Sequence, residues 1–392
     1  MKKVAVFLLA VLTLMSLCSC AKPATKDAPA NDNTAITAAE NTNDTETSAL
    51  DSKGEEAAQP EEREYVVGLS MPNMNGTAAD SYEKILEGFK KYPNVKVIDT
   101  NAQSNAMTQV SDLENLIEMG VDLLLVKTLD TTTAAPTLNA AREKGIPVVV
   151  FDGNCVDSNG DPAYDHFFGA DNYTIGVTMA EELIKKYGET ANYVMYEGPA
   201  GISVFMDRAE GFHSVIDQHE GWVMLSSQTG LPGRATDQVI MENWIQAYGD
   251  KIDVVVDFTD ENAIGAINAI DASNLSKNIK IASVNAQMEV LPYVEDGRII
   301  VEVATSDFII PLVPACYAIM TKDTEIPQDY ITPLYTLSTE EAAEFYIEGG
   351  YRIDEYNPRS NPVILIGLEY YAEQGYEWFD ESNYEEIFYI AD

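Results

Sequence analysis

The chain is poor in most of what metal, redox and nucleophile chemistry requires. Its three histidines, His166, His213 and His219, are scattered, with no pair at a metal-ligand spacing. Two of the four cysteines lie within the first 20 residues, and the remaining two do not make a disulfide framework. There is no phosphate loop. The one approach to a hydrolase elbow, Gly201-Ile202-Ser203-Val204-Phe205, lacks the closing glycine. Positive charge is scarce: 24 Lys and Arg stand against 64 Asp and Glu, a net charge of −40. That balance excludes nucleic acid as a partner, because phosphates need clustered cations, and it favours a soluble monomer. Beyond the N-terminus no apolar run reaches the ~18 residues of a membrane span. No repeat suggests an adhesive surface protein. Neither metal nor cofactor is called for. Catalysis would have to rest on paired carboxylates, which the abundant Asp and Glu leave open as an alternative.

What the chain does have begins at residue 1. Lys2 and Lys3 precede an apolar stretch over 4–17 that is too short to span a bilayer and fits a secretory signal. The following Leu17-Cys18-Ser19-Cys20 resembles a bacterial lipoprotein cleavage box. Cys20 is the expected lipid attachment, since small Ser19 precedes it whereas bulky Leu17 precedes Cys18. Residues 21–62 are mainly Ala, Thr, Asn, Asp, Glu, Pro and Ser, without an aromatic. Such a segment cannot offset its ordering entropy and reads as a disordered tether. The expectation is an extracytoplasmic protein held to the membrane by lipid alone. With Cys20 lipidated, Cys155 and Cys316 are expected to be buried free thiols.

From residue 65 onward, β-rich runs alternate with amphipathic stretches. Strands are expected over 65–71, 95–100, 121–127, 146–151 and 167–170, with helices over 81–92, 107–119 and 133–144 between them. The rhythm restarts with helices over 174–187, 204–218, 235–248 and 262–272, and strands over 193–196, 222–226, 254–258, 279–284 and 299–304. The fold class is α/β: two doubly wound parallel-sheet lobes. About 330 residues exceed what one core usually serves. Asn and Asp gather where strands end, at Asn73, Asp152, Asp260 and Asn285. Open α/β sheets bind ligands beyond the carboxyl ends of their strands. Asn and Asp also cap helices and make turns there. Asp152 stands apart, because Gly153 follows it and no helix begins nearby.

These runs resemble a known family, the type I periplasmic binding proteins that serve sugar ABC importers, specifically the ribose- and galactose-binding group. The resemblance is carried by Val67-Gly68-Leu69-Ser70 with Asn73, by Ile146-Pro147-Val148-Val149-Val150-Phe151-Asp152, by Gly169-Ala170-Asp171-Asn172-Tyr173-Thr174-Ile175-Gly176, and by Arg208-Ala209-Glu210-Gly211-Phe212. It implies two lobes joined by a hinge that the chain crosses three times. Lobe one is expected over 63–171 plus about 306–324, and lobe two over 172–305 with part of 325–339. It implies a small ligand, a sugar, captured in the interlobe cleft and delivered to an ABC permease, without catalysis. Sensing through a receptor or kinase is the alternative output.

Carried over residue by residue, the resemblance makes Asn73 and Asp152 pocket residues of lobe one. Asp260 stands where ribose binders have Asn, Asn285 where both sugar binders have Asp, and Thr305 where an amide sits at the hinge. Met206 lies near the usual pocket Arg, and Arg208 is either that group or a structural one. Asn75 lies where sugar binders carry stacking aromatics. Phe205 either replaces them or packs in the core. Thr259 and Asp307 are further candidates. Residues 340–392 depart from the family as an acidic, aromatic extension, with a strand expected over 362–367, a short helix over 368–374, and its aromatics packed on a lobe.

Overall fold

The central strands are apolar on both faces, which in a sheet means helices on both sides. The computed structural model describes residues 63–337, apart from 231, 232, 274, 276–278, 288, 306, 307 and 322–324. The expected leader, tether and extension, with Cys20 and Asp307, lie outside the described residues. The first sheet is built from β1 (Tyr65–Met71), β2 (Val95–Asn101), β3 (Leu123–Val126), β4 (Val148–Phe151) and β5 (His166–Ala170), connected by α1 (Gly76–Phe89), α2 (Ala106–Met119) and α3 (Ala135–Glu143). The chain then crosses at Asp171. The second lobe contains α4 (Asn172–Tyr187), β6 (Ala191–Tyr196), α5 (Ser203–Ile216), β7 (Trp222–Gln228), α6 (Arg234–Tyr248), β8 (Val254–Asp257), α7 (Asp260–Ala272), β9 (Lys280–Val284), α8 (Leu291–Glu295) and β10 (Ile299–Thr305). It returns through α9 (Ile309–Thr321) and β11 (Asp329–Thr332), and crosses again to β12 (Leu334–Thr336).

The strand orders are β11-β5-β4-β3-β1-β2 and β12-β10-β9-β8-β6-β7. Without β11 and β12, each sheet is the same doubly wound arrangement, a structural repeat with no residue-level counterpart in the sequence. All pairings are parallel except β10 with β12. The fold class is thus as the sequence indicated. The return to lobe one runs past 324, because β11 completes the first sheet. Pro333 alone then separates it from β12 in the second.

Each sheet buries two cores, one per face. In lobe one, Ile85, Phe89, Leu312 and Val313 of α1 and α9 cover Val67, Leu69, Val149 and Phe151. Leu113, Leu116 and Leu138 of α2 and α3 cover Leu124, Val126, Val148 and Val150 on the other face. Cys316 is in the first of these cores and Cys155 in the second; both are free and buried. In lobe two, Ile175, Met179 and Phe212 cover Tyr193, Met195 and Val256. Met241, Trp244 and Ile267 cover Val194, Val255 and Ile281. No helix among the described residues is long and apolar enough to cross a membrane.

Helices α4 and α5 pack closely on one face of the second sheet, and two glycines bring them together. A Cβ on Gly176 would lie 2.0 Å from the Arg208 carbonyl oxygen, and one on Gly211 would lie 2.0 Å from that of Tyr173. Both obstacles are backbone and cannot rotate away. Gly176→Ala is therefore expected to cost at least about 1–3 kcal/mol, the usual penalty of overpacking, read as a lower urea midpoint. An unchanged midpoint would show that the helices separate freely.

Candidate ligand-binding cleft

The cleft wall of lobe one is made by the carboxyl ends of β1, β3 and β4. Asp152 follows β4 with φ of +68°, a left-handed conformation that Asp tolerates better than most residues. Its amide donates to the Phe168 carbonyl at 2.9 Å, which fixes the turn. Its Oδ2 accepts from the Lys127 ammonium at 2.6 Å, while 27% of the side chain stays exposed. Burial drives the Asp152 carboxyl upward, but Lys127 and then Arg208 outweigh it and hold it below the usual carboxylate range. It is an anion at a strand end with one oxygen held by Lys127 and, among the described residues, no hydrogen bond to the other.

Asn73 is half-buried, and its Oδ1 accepts the Asn75 N–H at 3.0 Å, an Asx-turn. Asn75 is exposed and starts α1 through its backbone; its side chain caps nothing. Both stand at the end of β1, bound to their own turn.

Lobe two contributes differently from expectation. Arg208 is buried on α5. Its Nε donates to Asn172 Oδ1 at 2.9 Å and its Nη1 to the Phe258 carbonyl at 2.5 Å. Desolvation lowers its pKa to about 10, against the pull of Asp152, Asp260 and Glu302. These bonds give it the structural position of the two the resemblance allowed. Asp260 has no exposed surface. Strand β8 stops at Asp257, so Thr259 takes the N-cap of α7 and Asp260 turns inward. It accepts from Ser283 Oγ and from the Gln287 N–H. Phe205 is buried in the core of lobe two, and Met206 is 50% exposed beside Gly201, whose N–H points to its sulfur. Thr305 is half-buried and pairs with Leu334 at the last crossing.

Asn285 sits at the end of β9 with φ of +118°, followed by Ala286 at +54°. Two buried carboxylates hold this unusual turn: Asp260 takes the Gln287 N–H and Glu302 Oε1 takes the Ala286 N–H at 2.7 Å. Lys127, Gln109 and Glu302 went unnamed in the sequence reading. The signal for Lys127 and Glu302 was a single charge at the end of, or inside, an apolar strand. The lobes also meet directly. Thr131 donates from N–H and Oγ1 to the Gly201 carbonyl at 2.9 and 3.0 Å, and Ser203 Oγ accepts the Asn154 N–H at 3.0 Å.

Asp260 and Glu302 are too close, and too buried, to ionise together. Burial first, then Asp260, pushes the Glu302 carboxyl well above its usual range. Burial raises Asp260 to about 7, with its hydrogen bonds and Arg208 pulling the other way. The folded pair therefore keeps a proton that the unfolded chain loses at about pH 4. The stability Asp260 contributes in this way is full below that pH and is lost as the pH rises through about 7, and the raised Glu302 acts in the same direction. Glu302→Gln fixes a neutral partner there and is expected to flatten this decline in urea midpoints measured from pH 4 to 8. Parallel curves for variant and wild type would remove the pair as its source.

The sequence profile described as a periplasmic binding protein domain matches residues 67–307. The ribose import binding protein of Bacillus subtilis is 30% identical over 242 residues, which cover 62% of this chain and 76% of that protein. A xylitol-binding protein of Mycolicibacterium smegmatis is 22% identical over 313 residues, 77% of this chain and 88% of that one. Among solved structures, the solute-binding protein of an ABC transporter from Bacillus halodurans, with bound myo-inositol, superposes with a TM-score of 0.68 at 25% identity, covering 74% of this chain and 99% of that one. The profile spans more than half of the chain, and the fold consists of two like parallel sheets: this chain belongs to the periplasmic binding protein family, with the type I fold.

Proposed function

We propose that this protein is an extracytoplasmic receptor that encloses a small hydroxylated ligand, a sugar or polyol, between its lobes and delivers it to an ABC import permease. The observation that carries the reading is Asp152. It is a carboxylate at a strand end, held in a left-handed turn, with one oxygen on Lys127 and 27% of its side chain exposed. A sugar hydroxyl both donates and accepts, so a fixed carboxylate beside a fixed cation suits it. The relatives are binding proteins, which supports capture without turnover. Lipid attachment at Cys20 belongs to the same reading. It accounts for a receptor without a membrane span among its described helices.

A thermal-shift screen against sugars and polyols tests this. A ligand at a hundredfold excess over its Kd stabilises by about 2.7 kcal/mol, several degrees in Tm. Absence of any shift across both classes would count against the ligand assignment, and turnover of a hit would revive catalysis. Asp152→Asn, which leaves Lys127 an acceptor, is expected to weaken the hit by about tenfold to a hundredfold, the worth of a charged hydrogen bond. Calorimetric titration giving equal affinities would take Asp152 out of the site. Cys20→Ala is expected to move the protein from the membrane pellet to the soluble fraction; retention in the pellet would dismiss the lipid anchor.

A further inference from the structure

Strand β3 reads Leu123–Val126, all buried, and the next residue is Lys127. Lysine is almost never fully buried without a partner, yet Lys127 is only 8% exposed. Its backbone is clamped. Its N–H donates to the Ser70 carbonyl at 3.0 Å, and its carbonyl accepts from Gln109 Nε2 at 2.8 Å. Gln109 reaches Ser70 Oγ at 3.3 Å with the same nitrogen, and its Oε1 takes the Leu129 N–H at 2.9 Å. The ends of β1 and β3 are thereby tied to one buried amide of α2. The backbone of Lys127 is fixed in this way, and its ammonium rests on Asp152 at the end of the neighbouring strand with 11% of the side chain exposed.

An ammonium has three N–H groups. Among the described residues its one partner is Asp152 Oδ2, at 2.6 Å. Two donors remain where only 11% of the side chain meets solvent. Among the described residues Asp152 Oδ1, the other oxygen of the same carboxylate, takes no hydrogen bond. The place matters too. The strand order of lobe one reverses at β1, which lies between β3 and β2. The crevice between β1 and β3 is the topological switch point, where ligands of doubly wound sheets bind.

We propose that Lys127 contacts the ligand and, with Asp152, selects a vicinal diol: the ammonium donates to one diol oxygen while Asp152 Oδ1 accepts a hydrogen bond from the neighbouring hydroxyl. This rests on the cleft being the ligand site. The charge balance decides the class. An anionic ligand meets Asp152 Oδ1, and a cationic one meets Lys127. A neutral diol offers one acceptor and one donor to two charges that each need one. Removing either hydroxyl leaves a buried charged group unsatisfied, a costly outcome.

The test is calorimetric titration of wild type and Lys127→Met with D-ribose, myo-inositol and xylitol, then with monodeoxy analogues of whichever binds most tightly. Methionine keeps the apolar stem and leaves the more exposed Asp152 to water; circular dichroism and Tm report folding. The variant is expected to bind the parent ligand about tenfold to a hundredfold more weakly. One deoxy analogue should lose a similar factor on wild type and almost nothing further on the variant, because the two losses remove the same contact. Should Lys127→Met fail to fold, Lys127→Gln carries the same comparison. A folded variant with wild-type affinity, or penalties that simply add, overturns the proposal while leaving the ligand site intact. Should wild type bind none of the three, the strongest hit of the sugar and polyol screen replaces them, and absence of any hit in that screen overturns this proposal and the functional reading together.

Discussion

The buried guanidinium of Arg208 is the interaction around which the cleft is organised. It bonds Asn172, the first helical residue after the chain enters lobe two, and the Phe258 carbonyl, just beyond the end of β8. It thereby ties an interlobe crossing to a strand end through one planar group, which a lysine could not do. Its charge reaches Asp260 and Glu302 beneath it and Asp152 across the cleft. A buried cation is tolerated only where carboxylates compensate it. Lobe two supplies more carboxylate than one cation can balance, so part of it stays protonated. The wall of lobe two is thus a neutralised polar layer, and its buried carboxylates act as supports for the Asn285 turn.

Lobe one is built on the opposite plan. Its charged groups, Lys127 and Asp152, sit at neighbouring strand ends and are left partly unsaturated. Two of the non-glycine residues with positive φ, Asp152 and Asn285, are strand-end residues, one in each lobe. Such strain persists only where the surroundings impose it, and it gathers at functional sites. Here the surroundings are visible: the Phe168 carbonyl for one, Asp260 and Glu302 for the other.

The central strands were legible because they are buried on both faces, which leaves an unbroken apolar run in the sequence. Strands β11 and β12 were not. They are short edge strands with alternating or half-buried patterns that resemble loop. Helix α1 starts earlier than expected, at Gly76, because Asn75 initiates it by backbone alone and leaves no capping signature. Asp152 was legible because nothing local explained it. Lys127 was not, since its meaning depends on β3 lying next to β4, and sheet neighbours are invisible along the chain. Asp260 shows the reverse problem. An acidic residue after a strand reads as a cleft residue, but the strand stops at Asp257 and the helix cap falls on Thr259. A one-residue shift at a helix start decides whether a carboxylate faces solvent or core.

The geometry also bears on how closure is controlled. The crossings are thin, and one of them is Pro333 alone. The direct contacts between cleft rims, Thr131 with Gly201 and Asn154 with Ser203, are neutral hydrogen bonds, each worth about 1 kcal/mol net of the water it replaces. By themselves these three bonds are weak against the freedom of an open hinge. A guest bonded to both walls would add differential affinity of the kind that shifts such an equilibrium. On the proposed reading, weak rim contacts would make the closed state a report of occupancy: were they stronger, the lobes would close on an empty cleft.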